Sequence, residues 1–203
     1  YYKKKHVGNF GDVGCFSLHP AKNLHVLGDG GFISTNNKNI YKKLFFYRNH
    51  GHLNRDIIVS PGANSRLDTL NACYGNIMIS DFKKWSKRIS GIANKYNTYL
   101  SNKFLKPQVD EHKHHAFHNY IIKVQSKYRN KLINFLNNKN IETRIHYPYN
   151  FHEQKFFKNK NKIFLKNTEL LSKKILSLPI YPEMSDNQVR YVIKNLNLFT
   201  QKI

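Results

Sequence analysis

Acidic residues are scarce in this chain. Asp and Glu number 12 against 34 Lys and Arg, which leaves a net charge of +22 and a pI near 10. Cysteine is scarcer still: Cys15 and Cys73 are the only two in 203 residues. Two cysteines exclude a disulfide scaffold, and their wide separation excludes a CxxC metal or redox motif. Both read as buried free thiols. No apolar run approaches the roughly 20 residues needed to span a bilayer, so no membrane partner is expected. No signal peptide is visible either, which points to a cytoplasmic protein. An initiator Met is also missing. The chain opens Tyr1-Tyr2-Lys3, as a fragment of something longer would.

What is present suffices for a folded protein. The hydrophobic fraction is 40% and the aromatic fraction 14%, in a mass of 24.0 kDa. That is material for one domain, or for one and a half smaller ones, and not the composition of a disordered chain. The positive excess is the electrostatic footprint of a nucleic-acid binder. Such proteins concentrate their charge in a patch, an arm or a recognition helix. Here Lys is spread along the whole chain beside Asn, Ile, Tyr and Phe, which reads as solvated helix faces. No nucleic-acid partner is therefore expected, although a phosphate-bearing ligand would feel the field.

Hydrophobic spacing gives the elements. Residues 7–35 hold six glycines around two short apolar runs, Val13 to Phe16 and Phe32 to Ser34, which read as strands joined by tight turns. Lys38 to Arg48 has helical spacing and Gly51 is its stop. Residues 52–65 read as a loop. One helix is expected from Leu67 to Met78 and a longer one after Asp81. The longer one carries a stripe of Phe82, Trp85, Ile89, Ile92, Tyr96 and Leu100. Tyr120 to Val124 reads as a strand, Tyr128 to Leu136 as a helix and Ile141 to Tyr147 as a strand. Leu165 to Leu176 reads as a helix and Ser177 to Ile180 as a short extended piece. Ser185 and Gln188 form a capping box ahead of a final helix with Val189, Val192, Ile193, Leu196 and Phe199. Strand and helix alternate, so the fold class is α/β or α+β. A boundary near Ser80 divides residues 1–80 from residues 81–203.

One stretch concentrates chemistry: Gly14-Cys15-Phe16-Ser17-Leu18-His19-Pro20-Ala21-Lys22-Asn23-Leu24, followed by Gly28-Asp29-Gly30-Gly31. Ser17 ends a strand, and Lys22 follows a proline that restricts the backbone. A Lys held in a partly dry pocket can act as an amine nucleophile and a general base. A hydroxyl and glycine N–H groups suit a phosphate. On spacing alone Lys22 reads as one more surface lysine. The segment is neither a P-loop nor a dinucleotide fingerprint, because the glycine spacings differ. His112, His114, His115 and His118 cluster without cysteine and read as a polar loop, so no metal is expected.

The run FSLHPAKNL…GDGGFIST resembles the active-site segment of the DegT/DnrJ/EryC1/StrS family of pyridoxal-phosphate (PLP) sugar-nucleotide aminotransferases. Further pieces match in order. They are Arg48-Asn49-His50-Gly51, Gly62-Ala63-Asn64-Ser65-Arg66-Leu67-Asp68 and His118-Asn119-Tyr120. Residues Ile141 to Pro148 with His152, and Leu178-Pro179, complete the set. Asn71-Ala72-Cys73 departs mildly from the family's Q-A-A. The resemblance covers nearly the whole chain. It implies the C-terminal portion of a fold-type I PLP-dependent transferase. Residues 1–80 would be the end of the large PLP-binding domain. Residues 81–203 would be a long linker helix and a small α/β domain.

By the same resemblance, Lys22 would carry the cofactor as a Schiff base and Ser17 would bind its phosphate. Asn64 would reach the cofactor phosphate of a neighbouring subunit, making a homodimer with the site at the interface. His146 and Tyr147 would lie near the sugar nucleotide, and Arg48, His50 and Arg66 would line the site or hold its loops. The implied reaction moves an amino group from glutamate or glutamine to a keto-sugar nucleotide, for amino-sugar and polysaccharide biosynthesis. Lys22 argues against the related dehydratases, which carry His there. The family's N-terminal half holds the Asp that pairs with the pyridine nitrogen and the aromatic that stacks on the ring. Neither lies in these residues, so the chain alone is expected to be inactive.

Overall fold

A computed structural model of the chain describes residues 1–158 and 163–201. It divides into two compact units. The first is Tyr1–Ser86 with Val109–His115, and the second is Lys87–Gln108 with Ala116–Ile203.

In the first unit, β1 (Gly14–Ser17) and β2 (Gly31–Ser34) pair antiparallel, from Gly14 opposite Ser34 to Ser17 opposite Gly31. Phe16 and Phe32 stack across the pair with ring centroids 4.5 Å apart. Helix α1 (Lys38–Tyr47) starts where the Asn37 side chain accepts the N–H groups of Asn39 and Ile40, at 2.9 and 3.2 Å. It stops as the sequence suggests. Gly51 turns left-handed at φ +73° and its N–H closes onto the Phe46 carbonyl at 2.8 Å. A Cβ there would stand 1.7 Å from the Ser60 carbonyl oxygen, so no side chain fits. Residues 109–115 join this unit by backbone bonds, with Lys3 N–H donating to the His112 carbonyl at 2.8 Å. Among the described residues, Leu18 and Val26 are the only large apolar side chains this unit buries.

Helix α2 (Thr69–Tyr99) is a single 31-residue helix where the sequence predicts two. Ser80 and Asp81 look like a helix start, but no Pro or Gly breaks the chain there. The Ser80 hydroxyl turns back and donates to the Ile77 carbonyl at 2.6 Å, and the helix continues through.

The second unit has a core of its own. Strands β3 (Tyr120–Lys123) and β4 (Ile175–Leu178) pair antiparallel, with Tyr120 opposite Leu178. Ile89, Ile92 and Tyr96 of α2 pack with Ile122, Leu136 of α3 (Ser126–Asn137), Leu176, and Leu196 of the last helix. The end of the predicted stripe is thus buried, while Phe82 and Trp85 are half-exposed.

Among the described residues, two short helices intervene, α4 (Lys155–Lys158) and α5 (Lys166–Ser172). The predicted helix to Leu176 is shorter because Ile175 and Leu176 leave it to pair with β3. The last helix, α6 (Asp186–Thr200), opens on the capping box read from the sequence: Gln188 N–H donates to Ser185 Oγ, and Ser185 N–H to Gln188 Oε1. The expected strand at 141–147 reduces to one bridge between Arg144 and Ser177. Pro148 has no N–H for a ladder, and the His146 ring meets the Ser177 side chain, not the strand backbone. Both cysteines are free, but exposed instead of buried. Cys15 lies on the solvent face of the ribbon, opposite buried Gly14, and Cys73 on an uncovered face of α2.

Candidate active site

The loop after β1 is built by short hydrogen bonds. Leu18 N–H donates to the Gly30 carbonyl at 2.8 Å, and Val26 N–H to the Leu18 carbonyl at 2.9 Å, closing residues 18–26 on themselves. Inside that closure His19 is the hub. Its N–H donates to Ser17 Oγ at 3.3 Å, and its Nδ1 accepts from Ala21 N–H at 3.1 Å. Its carbonyl accepts from Lys22 N–H at 2.8 Å. His25 Nδ1 lies 3.2 Å from the Lys22 carbonyl on the far side. Ser17 and Lys22 are thereby held in one short turn. The Lys22 side chain is half-buried and the Ser17 hydroxyl exposed.

Gly30 allows that closure, because a Cβ on it would come within 2.9 Å of both Val26 and Leu67 side-chain carbons. The donor set fits a PLP-type cofactor at two of its ends. Lys22 offers a primary amine to an aldehyde carbon, and Ser17 offers a hydroxyl proton to a phosphate oxygen.

Arg48, His50, Asn64 and Arg66 form a second group in the same unit. Residues 47–50 and 63–65 run side by side. Ala63 N–H donates to the Tyr47 carbonyl at 2.7 Å, Ser65 N–H to Arg48 at 2.9 Å, and His50 N–H to Ala63 at 3.1 Å. Asn64 Oδ1 accepts from Arg66 Nε at 3.3 Å, and the Arg48 guanidinium sits 5.3 Å from the Phe45 ring centre. His50 adopts a left-handed φ of 59°, which the sharp turn into Gly51 requires.

The remaining two candidates, His146 and Tyr147, belong to the second unit. Their rings meet edge to face at 5.5 Å. His146 Nδ1 lies 2.8 Å from Ser177 Oγ on β4, while Tyr147 is exposed. His146 borders an open cavity of about 670 Å³, set among residues 118–119, 140–146, 177–181 and 184–192.

A polar lock next to this segment was not legible in the sequence. His152 Nε2 lies 3.1 Å from Glu169 Oε1, which also accepts from Leu165 N–H at 3.1 Å. The bond from His152 holds the Glu169 carboxyl below its usual range, with Leu165 N–H adding to it. Buried Asn150 donates to Glu153 Oε2 at 2.7 Å and to Ser172 Oγ at 3.2 Å. His152 stands out in the sequence, but nothing local pairs it with Glu169, 17 residues away.

The comparisons with known proteins define the class, on an α/β frame that holds Lys22 in a closed loop after a strand. This is the C-terminal portion of a fold-type I PLP-dependent transferase. The chain belongs to the DegT/DnrJ/EryC1/StrS aminotransferase family, whose pattern matches residues 1–197. It is 33% identical over 187 residues to the UDP-N-acetyl-3-dehydro-alpha-D-glucosamine 3-aminotransferase of Acidithiobacillus ferrooxidans, covering 90% of this chain and 49% of that protein. It is 35% identical over 199 residues to the dTDP-3-amino-3,6-dideoxy-alpha-D-galactopyranose transaminase of Aneurinibacillus thermoaerophilus, covering 98% and 54%. Among solved structures, DesV of S. venezuelae in complex with a ketimine intermediate superposes with a TM-score of 0.93 at 26% identity, covering 100% of this chain and 55% of that one. NtdA of Bacillus subtilis, with bound PMP, gives 0.90 at 26% identity, covering 97% and 48%. The chain therefore spans about half the length of the curated relatives it matches.

Proposed function

We propose that this chain is the Lys-bearing half of a PLP-dependent enzyme that transfers an amino group from glutamate or glutamine to a keto-sugar nucleotide. One observation carries the reading. Lys22 and Ser17 are held in a single turn by the backbone and ring of His19, within a family of sugar aminotransferases. When bound, the cofactor supplies an electron sink for the pair released at the donor's Cα.

The protein's own residues do the rest. The Ser17 hydroxyl donates to the cofactor phosphate, and the lysine-rich chain, at net charge +22, favours both that phosphate and a nucleotide diphosphate. The Lys22 amine holds the cofactor's aldehyde carbon between turnovers. Once free, it would be the base that takes the proton from the donor's Cα. It would hand that proton to the cofactor's former aldehyde carbon, and in the second half-reaction the same amine would carry a proton from that carbon to the sugar carbon. Asn64 reaches the cofactor phosphate of a second subunit, so the working unit is a homodimer. Arg48, His50 and Arg66 hold the loop that presents Asn64, while His146 and Tyr147 contact the sugar nucleotide. The reading assigns residues 1–80 to the large domain and 81–203 to the linker helix and small domain, and it locates the enzyme in the cytoplasm. The chain by itself, about half of its relatives' length, does not turn over.

The test is Lys22→Ala in a polypeptide that joins this chain to the half its relatives carry. Transfer from glutamate to a keto-sugar nucleotide should fall by at least about a thousandfold, as expected for loss of a combined nucleophile and base. Wild-type turnover in that variant would refute the assignment.

A further inference from the structure

The His152–Glu169 pair belongs to a larger group. Glu153 stands beside it, and one ligand atom from each of the three side chains falls within 4.8 Å of the other two. The chain has only 12 acidic residues against 34 basic ones, and two of the acids converge here on one imidazole.

Each carboxylate is held by a further group, as the ligands of a metal are. Glu153 Oε2 accepts the backbone N–H of Asn150 at 3.1 Å and its side-chain amide at 2.7 Å, which leaves Oε1 for a further partner. Glu169 Oε1 accepts from Leu165 N–H at 3.1 Å. The Asn150 amide also donates to Ser172 Oγ at 3.2 Å, and that hydroxyl donates to the Glu169 carbonyl at 3.0 Å. The turn Phe151–Glu153 and helix α5 are thus tied together around the three donors. The group is partly dry: the His152 side chain is 10% exposed and that of Glu169 21%, with Glu153 at the open edge.

Charge decides what suits this group. Two carboxylates so close repel each other. A proton on His152 sets one positive charge against two negative ones, whereas a divalent cation beside a neutral imidazole balances both. One imidazole and two carboxylates are a donor set for zinc, with ligands at about 2.0–2.2 Å and a water in the fourth position. Two such ligands stand about 3.4 Å apart in a tetrahedron, and His152 Nε2 already lies 3.1 Å from Glu169 Oε1. Glu153, the exposed member, supplies the remaining adjustment. Magnesium and calcium prefer oxygen donors alone and make no use of the imidazole.

We propose that His152, Glu153 and Glu169 form a transition-metal site, filled by zinc, that clamps the turn after Asn150 to α5. The cation takes the Nε2 lone pair of His152. The proton there moves to Nδ1 or, from the imidazolium, to solvent. The proposal is independent of the cofactor assignment. It does not involve His112, His114 and His115, which belong to the first unit.

The probe is the zinc ion alone. The 203-residue chain is freed of metal with a chelator and titrated with Zn²⁺ by calorimetry, and with Co²⁺ by visible absorption. One saturable site is expected, with a cobalt band that zinc displaces. Zinc at a hundred times its dissociation constant should raise the melting temperature by about 5 °C or more.

Glu153→Gln is the discriminating variant. Its amide oxygen can still accept from Asn150, so the fold is kept while the charge is lost. Its metal-free melting temperature should match that of the unchanged chain, and zinc should bind at least about tenfold more weakly. His152→Gln should weaken zinc further, and His114→Gln should leave the affinity as it is.

The absence of a saturable zinc site would overturn the proposal and leave His152 and Glu169 as a charge-assisted pair. So would a zinc affinity that Glu153→Gln and His152→Gln leave intact, or that His114→Gln abolishes. None of these outcomes touches the assignment of Lys22, which is read from covalent labelling instead.

Discussion

Tyr96 and Tyr120 meet inside the second unit with ring centroids 5.0 Å apart, and both are fully buried. Burial pushes both phenols well above their ordinary range. They stay neutral and each donates one hydrogen bond: Tyr96 to the Pro179 carbonyl at 2.7 Å, Tyr120 to Asn97 Oδ1 at 2.6 Å. The Tyr96 bond also fixes the Pro179 stretch that lines the cavity. Tyr96→Phe orphans that carbonyl without changing the packed volume. It should cost about 1–2 kcal/mol in urea unfolding, the penalty of one unsatisfied buried group. A change within a few tenths would mean that the carbonyl finds water. At this scale the sequence was informative where neighbours lie close along the chain, as with Ser17 and Lys22, which the structure holds in one turn. It was uninformative where a partner lies far along the chain, as Glu169 does for His152. It also misjudged Cys15 and Cys73, because an apolar thiol is buried only if something covers its strand or helix face.

The elements show the same division. Helix α6 was readable because its signals are local: Ser185 and Gln188 three residues apart, then an apolar stripe. Ser185→Ala should therefore cost about 1 kcal/mol of stability. The neighbouring Asp186 pairs with Arg88 and Lys95 at 2.7 Å each, and these bonds hold its carboxyl down at about 2, against an ordinary 3.8. Its folded value is the depressed one. The stabilisation it brings is thus present above about pH 4 and is lost as pH falls from there towards about 2. Unfolding measured across that window should show the loss in the wild-type chain and a smaller one in Asp186→Asn. Equal acid sensitivity in the two would contradict the role given to the ion pairs. Other elements could not be read locally. The apparent break at Ser80 is overridden by continuous helix hydrogen bonding, and the end of the predicted helix at Ile175 and Leu176 is captured by β3. Both outcomes depend on contacts that a local window does not contain.

Over the whole molecule the two units are unequally equipped. The extended apolar core lies between Ile89 and Phe199, all in the second unit. The first unit leaves Leu27, Leu70, Ile77 and Tyr41 largely exposed. Buried apolar area is the main favourable term in folding, so the second unit should be the more stable of the two. In hydrogen exchange on this chain, the amides of β3, β4 and α6 should be protected far more strongly than those of β1, β2 and α1. Comparable protection in both units would show that the first is stable on its own side chains. The same imbalance bears on function. The proposed Lys22 loop stands in the unit with little core of its own.

The central claim is that Lys22 is the residue that holds the cofactor. It is tested most directly by adding PLP to a polypeptide that joins this chain to the half its relatives carry, reducing with borohydride and mapping the modified peptide by mass spectrometry. The account predicts a pyridoxyl group on Lys22, and none at that position in Lys22→Ala. A folded protein labelled only on other lysines, or not labelled at all, would contradict it.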